Sequence, residues 1–212
     1  IAAVCEADGR PRILFLAAPN NPDGGPLPDD QLARLLALPL LVVLDEAYVE
    51  FGGPSRAAQV AQHDNLVVLR TFSKWAGLAG MRIGYGICPP RLAELLLKLK
   101  SPYNVNGPAQ AAALATLLNA QTALDRVAAI VAERERMGKA LAASAHLVAY
   151  PSQANYHLCR LQGVDADRFR AHMEEHGILL RYFGEGRLQG HVRITVGTPA
   201  QNDAVLAALE SL

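Results

Sequence analysis

Lys74 and Arg82 are the two residues whose types and spacing most directly suggest chemistry. Lys74 comes after the apolar run Leu66–Leu69 and before Gly77 and Gly80, so we expect it on a turn just past a buried strand, where α/β sheets present their functional groups. A desolvated lysine can form a Schiff base with an aldehyde, and the planar guanidinium of Arg82 can bind a phosphate. An aldehyde that carries a phosphate suggests pyridoxal phosphate. The alternative is that Lys74 is an ordinary solvated loop lysine.

Asp45 directly follows a second apolar run, residues 40–44. A carboxylate at the end of a buried strand is costly unless a cation pairs with it or it caps a helix terminus. Beside a pyridoxal cofactor it has a clear task, which is to keep the ring nitrogen protonated so that the ring can accept electrons. Tyr48, three residues later, can donate to the phenolic oxygen of the ring. The alternatives are a capping role for Asp45 and a packing role for Tyr48.

Asn21 lies in a turn after a predicted strand at residues 13–17. The Asn-Pro and Asp-Gly pairs of residues 21–24 strongly favour a turn. A turn role does not exclude function, because a side-chain amide at the carboxyl end of a strand can hydrogen-bond a cofactor hydroxyl.

Apolar periodicity predicts the elements that position these residues. In the first half, a helix at residues 27–38 alternates with strands at 13–17, 40–44 and 66–69, which indicates an α/β fold with a doubly wound, mostly parallel sheet. In the second half we predict helices at 108–120, 123–143 and 166–176, strands at 156–159, 178–181 and 192–195, and a final helix opened by a capping box at Thr198–Gln201. We therefore expect a cofactor-binding domain at residues 1–122 and a smaller α+β domain at 123–212, with the ligand site between them.

Composition excludes several functional classes. The 212 residues carry 20 basic and 20 acidic side chains, so nothing points to nucleic acid or an anionic membrane. No apolar run reaches the roughly 18 residues that a membrane-spanning helix needs. Cys5, Cys88 and Cys159 are widely spaced, and the six histidines are scattered. These patterns predict reduced thiols, a cytoplasmic protein and no metal site.

Residues 73–85, which read SKWAGLAGMRIGY, resemble the cofactor-lysine signature of the fold-type I pyridoxal-phosphate enzymes, the aminotransferase family. Four further segments are similar to the histidinol-phosphate aminotransferase branch of that family: Asn21-Pro22, DEAYVEF at 45–51, PYNVN at 102–106 and RITVGT at 193–198. These motifs cover nearly the whole chain in the expected order. Asp23-Gly24 replaces the family's Thr-Gly, which is a conservative exchange within a turn.

The resemblance implies a set of residues that bind pyridoxal 5'-phosphate: Lys74 through a Schiff base, Asp45 at the pyridinium, Asn21 and Tyr48 at the ring oxygen, and Ser73 and Arg82 at the phosphate. It also implies that Arg193 binds the carboxylate of the amino donor or the phosphate of the substrate, with Arg181 and Asn21 in the same pocket. For Arg193 the alternative is an exposed strand arginine. For Arg181 the sequence favours neither role.

The implied activity is transamination between glutamate or 2-oxoglutarate and histidinol phosphate or imidazole acetol phosphate, in a homodimer, with Lys74 as the general base and acid. The alternatives are another pyridoxal-phosphate enzyme of this fold, such as a threonine-phosphate decarboxylase, and a non-catalytic fragment. The sequence starts at Ile1 and shows neither the family's amino-terminal arm nor its phosphate-cradling loop nor its stacking aromatic. We therefore expect part of a longer protein, and expect these 212 residues alone to bind the cofactor weakly without measurable transamination.

Overall fold

The computed structural model describes Ile1, Ala3 and residues 10–212, and it divides the chain into two compact units. The first unit comprises Ile1–Asn20 and Pro26–Leu124, and the second comprises Asn21–Gly25 and Asp125–Leu212. The short loop Asn21–Gly25 therefore belongs to the second unit, although its neighbours in sequence belong to the first. Cys5 lies outside the described residues, and Cys88 and Cys159 are free thiols.

The first unit is built on a four-stranded sheet in which the strands follow one another in chain order. Its strands are β1 (Ile13–Ala17), β2 (Leu41–Asp45), β3 (Leu66–Thr71) and β4 (Gly84–Ile87). The first three are parallel, and β4 runs antiparallel to β3. In this register Asp45 lies opposite both Ala17 and Leu69. The carboxyl ends of the three parallel strands therefore meet at one edge of the sheet.

Burial of the apolar runs holds this sheet together. Val42, Leu44 and Val68 are fully buried and form a core with Leu32 of helix α1 (Asp29–Leu36). Val43, whose side chain points to the opposite face, is buried as well, as expected for a parallel strand that is covered on both sides. Burial of each such side chain contributes roughly 1.5–3 kcal/mol to stability. The unit continues with α2 (Pro90–Leu99), α3 (Gly107–Leu118) and the start of α4 (Ala120–Ala142).

Strand β4 and helix α2 were not predicted from the sequence. Two glycines make residues 84–87 a poor strand by intrinsic preference, so pairing with β3 decides their conformation. A Cβ atom on Gly84 would lie 2.6 Å from the carbonyl oxygen of Arg70. Only glycine permits such a close approach of the two backbones.

The second unit is an antiparallel sheet with helices packed against it. Its strands are β5 (Leu147–Ala149), β6 (Tyr156–Leu161), β7 (Arg181–Phe183) and β8 (His191–Thr195), in the order β5-β6-β8-β7. The helices are the remainder of α4, α5 (Ala166–Glu175) and α6 (Pro199–Glu210). Met137 of α4, Phe169 of α5 and Ile194 of β8 are fully buried in the common core. The capping box predicted at the start of α6 is confirmed, because the side chains of Thr198 and Gln201 each accept the other's backbone N–H.

The predicted strand at residues 178–181 is wrong over its first three residues, because β7 begins at Arg181. Gly177, with φ +70°, ends helix α5. Its N–H donates to the carbonyl of Glu174, and the N–H of Ile178 donates to that of Met173. These two bonds form a Schellman motif. Ile178, which was expected to start the strand, therefore helps to end helix α5 instead.

Within the described ranges, no helix has the length and apolar character needed to cross a bilayer. The same part of the chain contains no group of three or more His, Cys, Asp or Glu side chains that could hold a metal ion.

Candidate active site

The carboxyl edge of the first sheet carries five of the predicted site residues: Asp45, Tyr48, Ser73, Lys74 and Arg82. Asp45 is the last residue of β2, and the loop with Ser73, Lys74 and Arg82 connects β3 to β4. The amine nitrogen of Lys74 lies 5.5 Å from the centre of the Tyr48 ring, which is within the range of a cation–π contact. The structure thus brings the lysine and the tyrosine together from two neighbouring strand ends.

Asp45 is exposed at the end of β2, and its contact with the ring nitrogen of a cofactor stays a prediction. Its Oδ1 accepts the backbone N–H of Ala47 at 2.9 Å, which closes the turn that follows β2. The carboxylate therefore caps a turn and also faces solvent at the sheet edge. Tyr48, in contrast, is only 8% exposed and precedes a short 3-10 helix at Val49–Phe51.

Hydrogen bonds donated by backbone N–H groups hold the loop that carries Lys74. The N–H of Ser73 donates to Oγ1 of Thr71 at 3.0 Å, and the N–H of Gly77 donates to the carbonyl of Lys74 at 3.3 Å. Gly77 has φ +69°, a left-handed conformation that glycine adopts readily. These contacts leave the Lys74 side chain exposed on an ordered turn.

Arg82 has the backbone strain that often accompanies functional positions. Its φ is +54°, and among the described residues it is the only non-glycine residue with a positive φ. Such a conformation costs on the order of 1 kcal/mol or more. Nη1 of Arg82 donates to the carbonyl of Ala79 at 3.0 Å, so the guanidinium is held above the loop that follows Lys74.

The remaining candidates, Asn21, Arg181 and Arg193, lie in the second unit. Nη1 of Arg193 donates to Oδ1 of Asn21 at 2.8 Å, and its guanidinium lies 4.9 Å from the centre of the Tyr156 ring. Arg193 is half-buried, so the alternative of an exposed strand arginine does not describe it. Its Nε is buried and has no hydrogen-bond partner in the described part of the chain.

Arg181 and Arg193 are directly opposite each other on β7 and β8. Both line a cavity of about 390 Å³, together with Thr195 and Gln201. Like charges at opposed positions of a sheet repel each other, and a bound anion would offset that repulsion. The pair can therefore bind a carboxylate or a phosphate, whose geometry suits the planar guanidinium.

Comparison with known sequences assigns the family. The model of the family described as "Aminotransferase class I and II" matches residues 1–209. The chain belongs to the class I and II aminotransferases.

Three proteins similar to this chain give more detail. The histidinol-phosphate aminotransferase of Roseiflexus castenholzii is 49% identical over 100% of the chain, which spans 58% of that protein's length. The solved structure of histidinol-phosphate aminotransferase from Sinorhizobium meliloti in complex with pyridoxal-5'-phosphate is 32% identical, with a TM-score of 0.85 over 99% of this chain and 59% of that one. The solved L-threonine-O-3-phosphate decarboxylase of Porphyromonas gingivalis is 30% identical, with a TM-score of 0.83 over 94% of this chain and 64% of that one. These likenesses confirm the predicted α/β fold of a fold-type I enzyme with a mostly parallel sheet.

Two charged residues beside the candidate site were not predicted from the sequence. Glu46 is only 1% exposed, and Arg70, on the strand that leads to Lys74, contacts it. The available signal was an arginine inside the apolar strand segment LVVLRT, since a charge there needs a partner.

Proposed function

We propose that the protein carrying this chain is a pyridoxal-phosphate-dependent aminotransferase that moves an amino group between glutamate or 2-oxoglutarate and histidinol phosphate or imidazole acetol phosphate. The observation that carries the proposal is the placement of the Lys74 amine beside Tyr48 at the carboxyl edge of the sheet. The names of the similar proteins support the choice of substrate.

The residues at this edge fit pyridoxal 5'-phosphate by the chemistry of their side chains. Lys74 offers an amine to the aldehyde, and the exposed carboxylate of Asp45 suits the ring nitrogen. The Tyr48 hydroxyl can donate to the ring oxygen, and the Ser73 hydroxyl and Arg82 guanidinium can hold the phosphate. Asn21 completes the set proposed for the ring oxygen. When bound, the cofactor supplies an electron sink for the carbon atom that loses a proton.

The chain's own residues then have distinct tasks. Lys74 Nζ would act as the general base that takes the proton from Cα of the amino donor and as the general acid that delivers a proton to Cα of the amino acceptor. Asp45 holds the proton on the ring nitrogen. Arg193 and Arg181 bind the anionic group of the substrate and fix its orientation. This orientation raises the reaction rate because the reacting atoms are then aligned. Asn21, bonded to Arg193, links the anion site to the loop after β1.

The wider properties of the protein are also proposals. We propose a cytoplasmic homodimer, as the family resemblance implies. We also propose that it has no nucleic-acid or membrane partners, as the balanced charge favours. We also propose that residues 1–122 act as the cofactor domain and residues 123–212 as a smaller second domain.

The decisive experiment compares two reactions of the full-length protein with added pyridoxal phosphate. With histidinol phosphate and 2-oxoglutarate, we expect glutamate to form. With threonine phosphate, we expect no release of carbon dioxide. The likeness to the threonine-phosphate decarboxylase makes decarboxylation the second candidate, and the opposite pair of results would establish it.

A further inference from the structure

A buried carboxylate lies directly beside the candidate site. Glu46 follows Asp45 in sequence and is 1% exposed. Its Oε2 accepts the hydroxyl of Ser55 at 2.7 Å, and its Oε1 accepts the backbone N–H of Arg56 at 2.5 Å. Both oxygens are therefore hydrogen-bonded, as the burial of a charge requires.

Arg70 connects this carboxylate to a second acid. Its Nη1 lies 3.4 Å from Oε2 of Glu46 and donates to Oγ of Ser55 at 3.2 Å. Its Nη2 donates to Oε1 of Glu50 at 2.7 Å. The side chains of Arg70 and Glu50 are 17% and 11% exposed, so water screens these pairs only weakly.

The net electrostatic effect on Arg70 is favourable. Burial by itself lowers the pKa of Arg70, but the hydrogen bond and charge of Glu50, together with the charges of Tyr85 and Glu46, outweigh it and raise the pKa. Arg70 therefore stays charged at every accessible pH.

These contacts join the two chain segments that carry the site. Glu46 and Glu50 flank Tyr48 in sequence, and Arg70 lies on β3, four residues before Lys74. A backbone bond reinforces the link, since the N–H of Glu46 donates to the carbonyl of Leu69 at 2.9 Å.

We propose that Glu46, Arg70 and Glu50 are positioning residues, which hold the turn carrying Asp45 and Tyr48 at a fixed distance from the loop carrying Lys74. The proposal rests on the proposed function of that site. A buried ion network seldom adds more stability than apolar side chains of the same volume. Here the network fixes geometry, because the planar guanidinium of Arg70 binds two acids of the same turn, Glu46 and Glu50.

The test uses the full-length protein loaded with pyridoxal phosphate and two conservative variants, Glu46→Gln and Arg70→Lys. The readouts are the visible circular dichroism of the bound cofactor, the pH midpoint of its absorption band, and kcat and KM measured separately. We expect weaker dichroism, a shifted midpoint and a kcat lower by on the order of tenfold or more, by analogy with residues that orient metal ligands. KM should change little, because the anion site lies on other residues.

Leu32→Ala is the matched control. Leu32 is fully buried in the core of the same unit, so the variant should lower the melting temperature while its dichroism and pH midpoint stay as in the wild type. If Glu46→Gln and Arg70→Lys behaved like Leu32→Ala, the three residues would be purely structural and the proposal would be wrong. A wild-type protein that showed no cofactor band would contradict the proposed function and the positioning role together. A normal wild-type band that both variants leave unchanged would contradict the positioning role alone.

Discussion

Arg193 donates a hydrogen bond of 2.8 Å to Asn21, a residue 172 positions earlier in the chain. This bond anchors the loop Asn21–Gly25 to strand β8. The loop is held at its other end as well, where the N–H of Gln153 donates to the carbonyl of Gly24 at 2.8 Å. Two residues that the resemblance assigns to one site are thus in direct contact, through side chains from opposite ends of the sequence.

Replacement of Arg193 should impair substrate binding. Arg193→Ala removes one of the two arginines on the cavity, and a hydrogen bond to a charged group is worth about 1.5–3 kcal/mol. We expect kcat/KM for histidinol phosphate to fall by roughly 10- to 150-fold, while the affinity for pyridoxal phosphate changes little. Arg187→Ala, which removes an exposed arginine of the same unit, should leave both values unchanged. Equal effects of the two variants would argue against an anion site at Arg193.

Lys74→Ala should abolish turnover and covalent attachment of the cofactor. Because the Lys74 side chain is exposed, the free energy of unfolding should change by no more than about 0.5 kcal/mol. Borohydride treatment followed by peptide mapping measures the attachment, with the exposed Lys98→Ala as a control that keeps it. A reduced cofactor adduct on the peptide around residue 74 of the Lys74→Ala variant would show that another group binds the aldehyde.

Asp45→Asn and Asp45→Ala separate the two roles of this residue. Asparagine keeps an oxygen that can accept the Ala47 N–H but lacks the charge, whereas alanine lacks both. If the charge acts on the ring nitrogen, both variants should lose turnover by about 10- to 150-fold. If only the turn matters, Asp45→Asn should stay within about threefold of the wild type, since that factor is under 1 kcal/mol, and Asp45→Ala alone should be impaired. Steady-state kcat of the loaded protein decides between them.

Gly84→Ala should destabilise the first unit. The added Cβ would meet the Arg70 carbonyl at 2.6 Å, and overpacking of this kind costs about 1–3 kcal/mol. Gly80→Ala is the control, because a Cβ there meets nothing within 4 Å. Denaturant unfolding of both variants measures the difference, and equal midpoints would mean that β4 can shift away from β3 at little cost.

The Cys159 thiol should make stability fall at high pH. Burial raises the pKa of Cys159 from 9.0 to about 12. In the folded protein the proton is retained, whereas the unfolded chain loses it near pH 9, so this contribution to stability is present below that pH and is lost progressively up to about pH 12. Cys159→Ala should show a weaker loss of stability between pH 9 and 11. At pH 8, iodoacetamide should label Cys88 faster than Cys159 in the native protein, as peptide mapping can show.

The sequence by itself determined the elements whose patterns are local. The apolar runs of β1, β2 and β3, the periodicity of most helices and the capping box at Thr198 are written in adjacent residues, and the structure has these elements within a few residues of the predicted bounds. The residues with suitable chemistry, above all Lys74 and Arg82, were recognisable for the same reason. Their roles in binding and catalysis stay predictions.

Only the tertiary structure decided which charges are buried and which residues meet. Of the neighbouring acids Asp45 and Glu46, the first is exposed and the second is buried, because Glu46 finds partners on Ser55, Arg56 and Arg70, up to 24 residues away. The burial of a charge depends on such distant partners, and a local pattern does not contain them. The same holds for the contact of Arg193 with Asn21 and for strand β4, whose glycines form a strand only because β3 lies beside them.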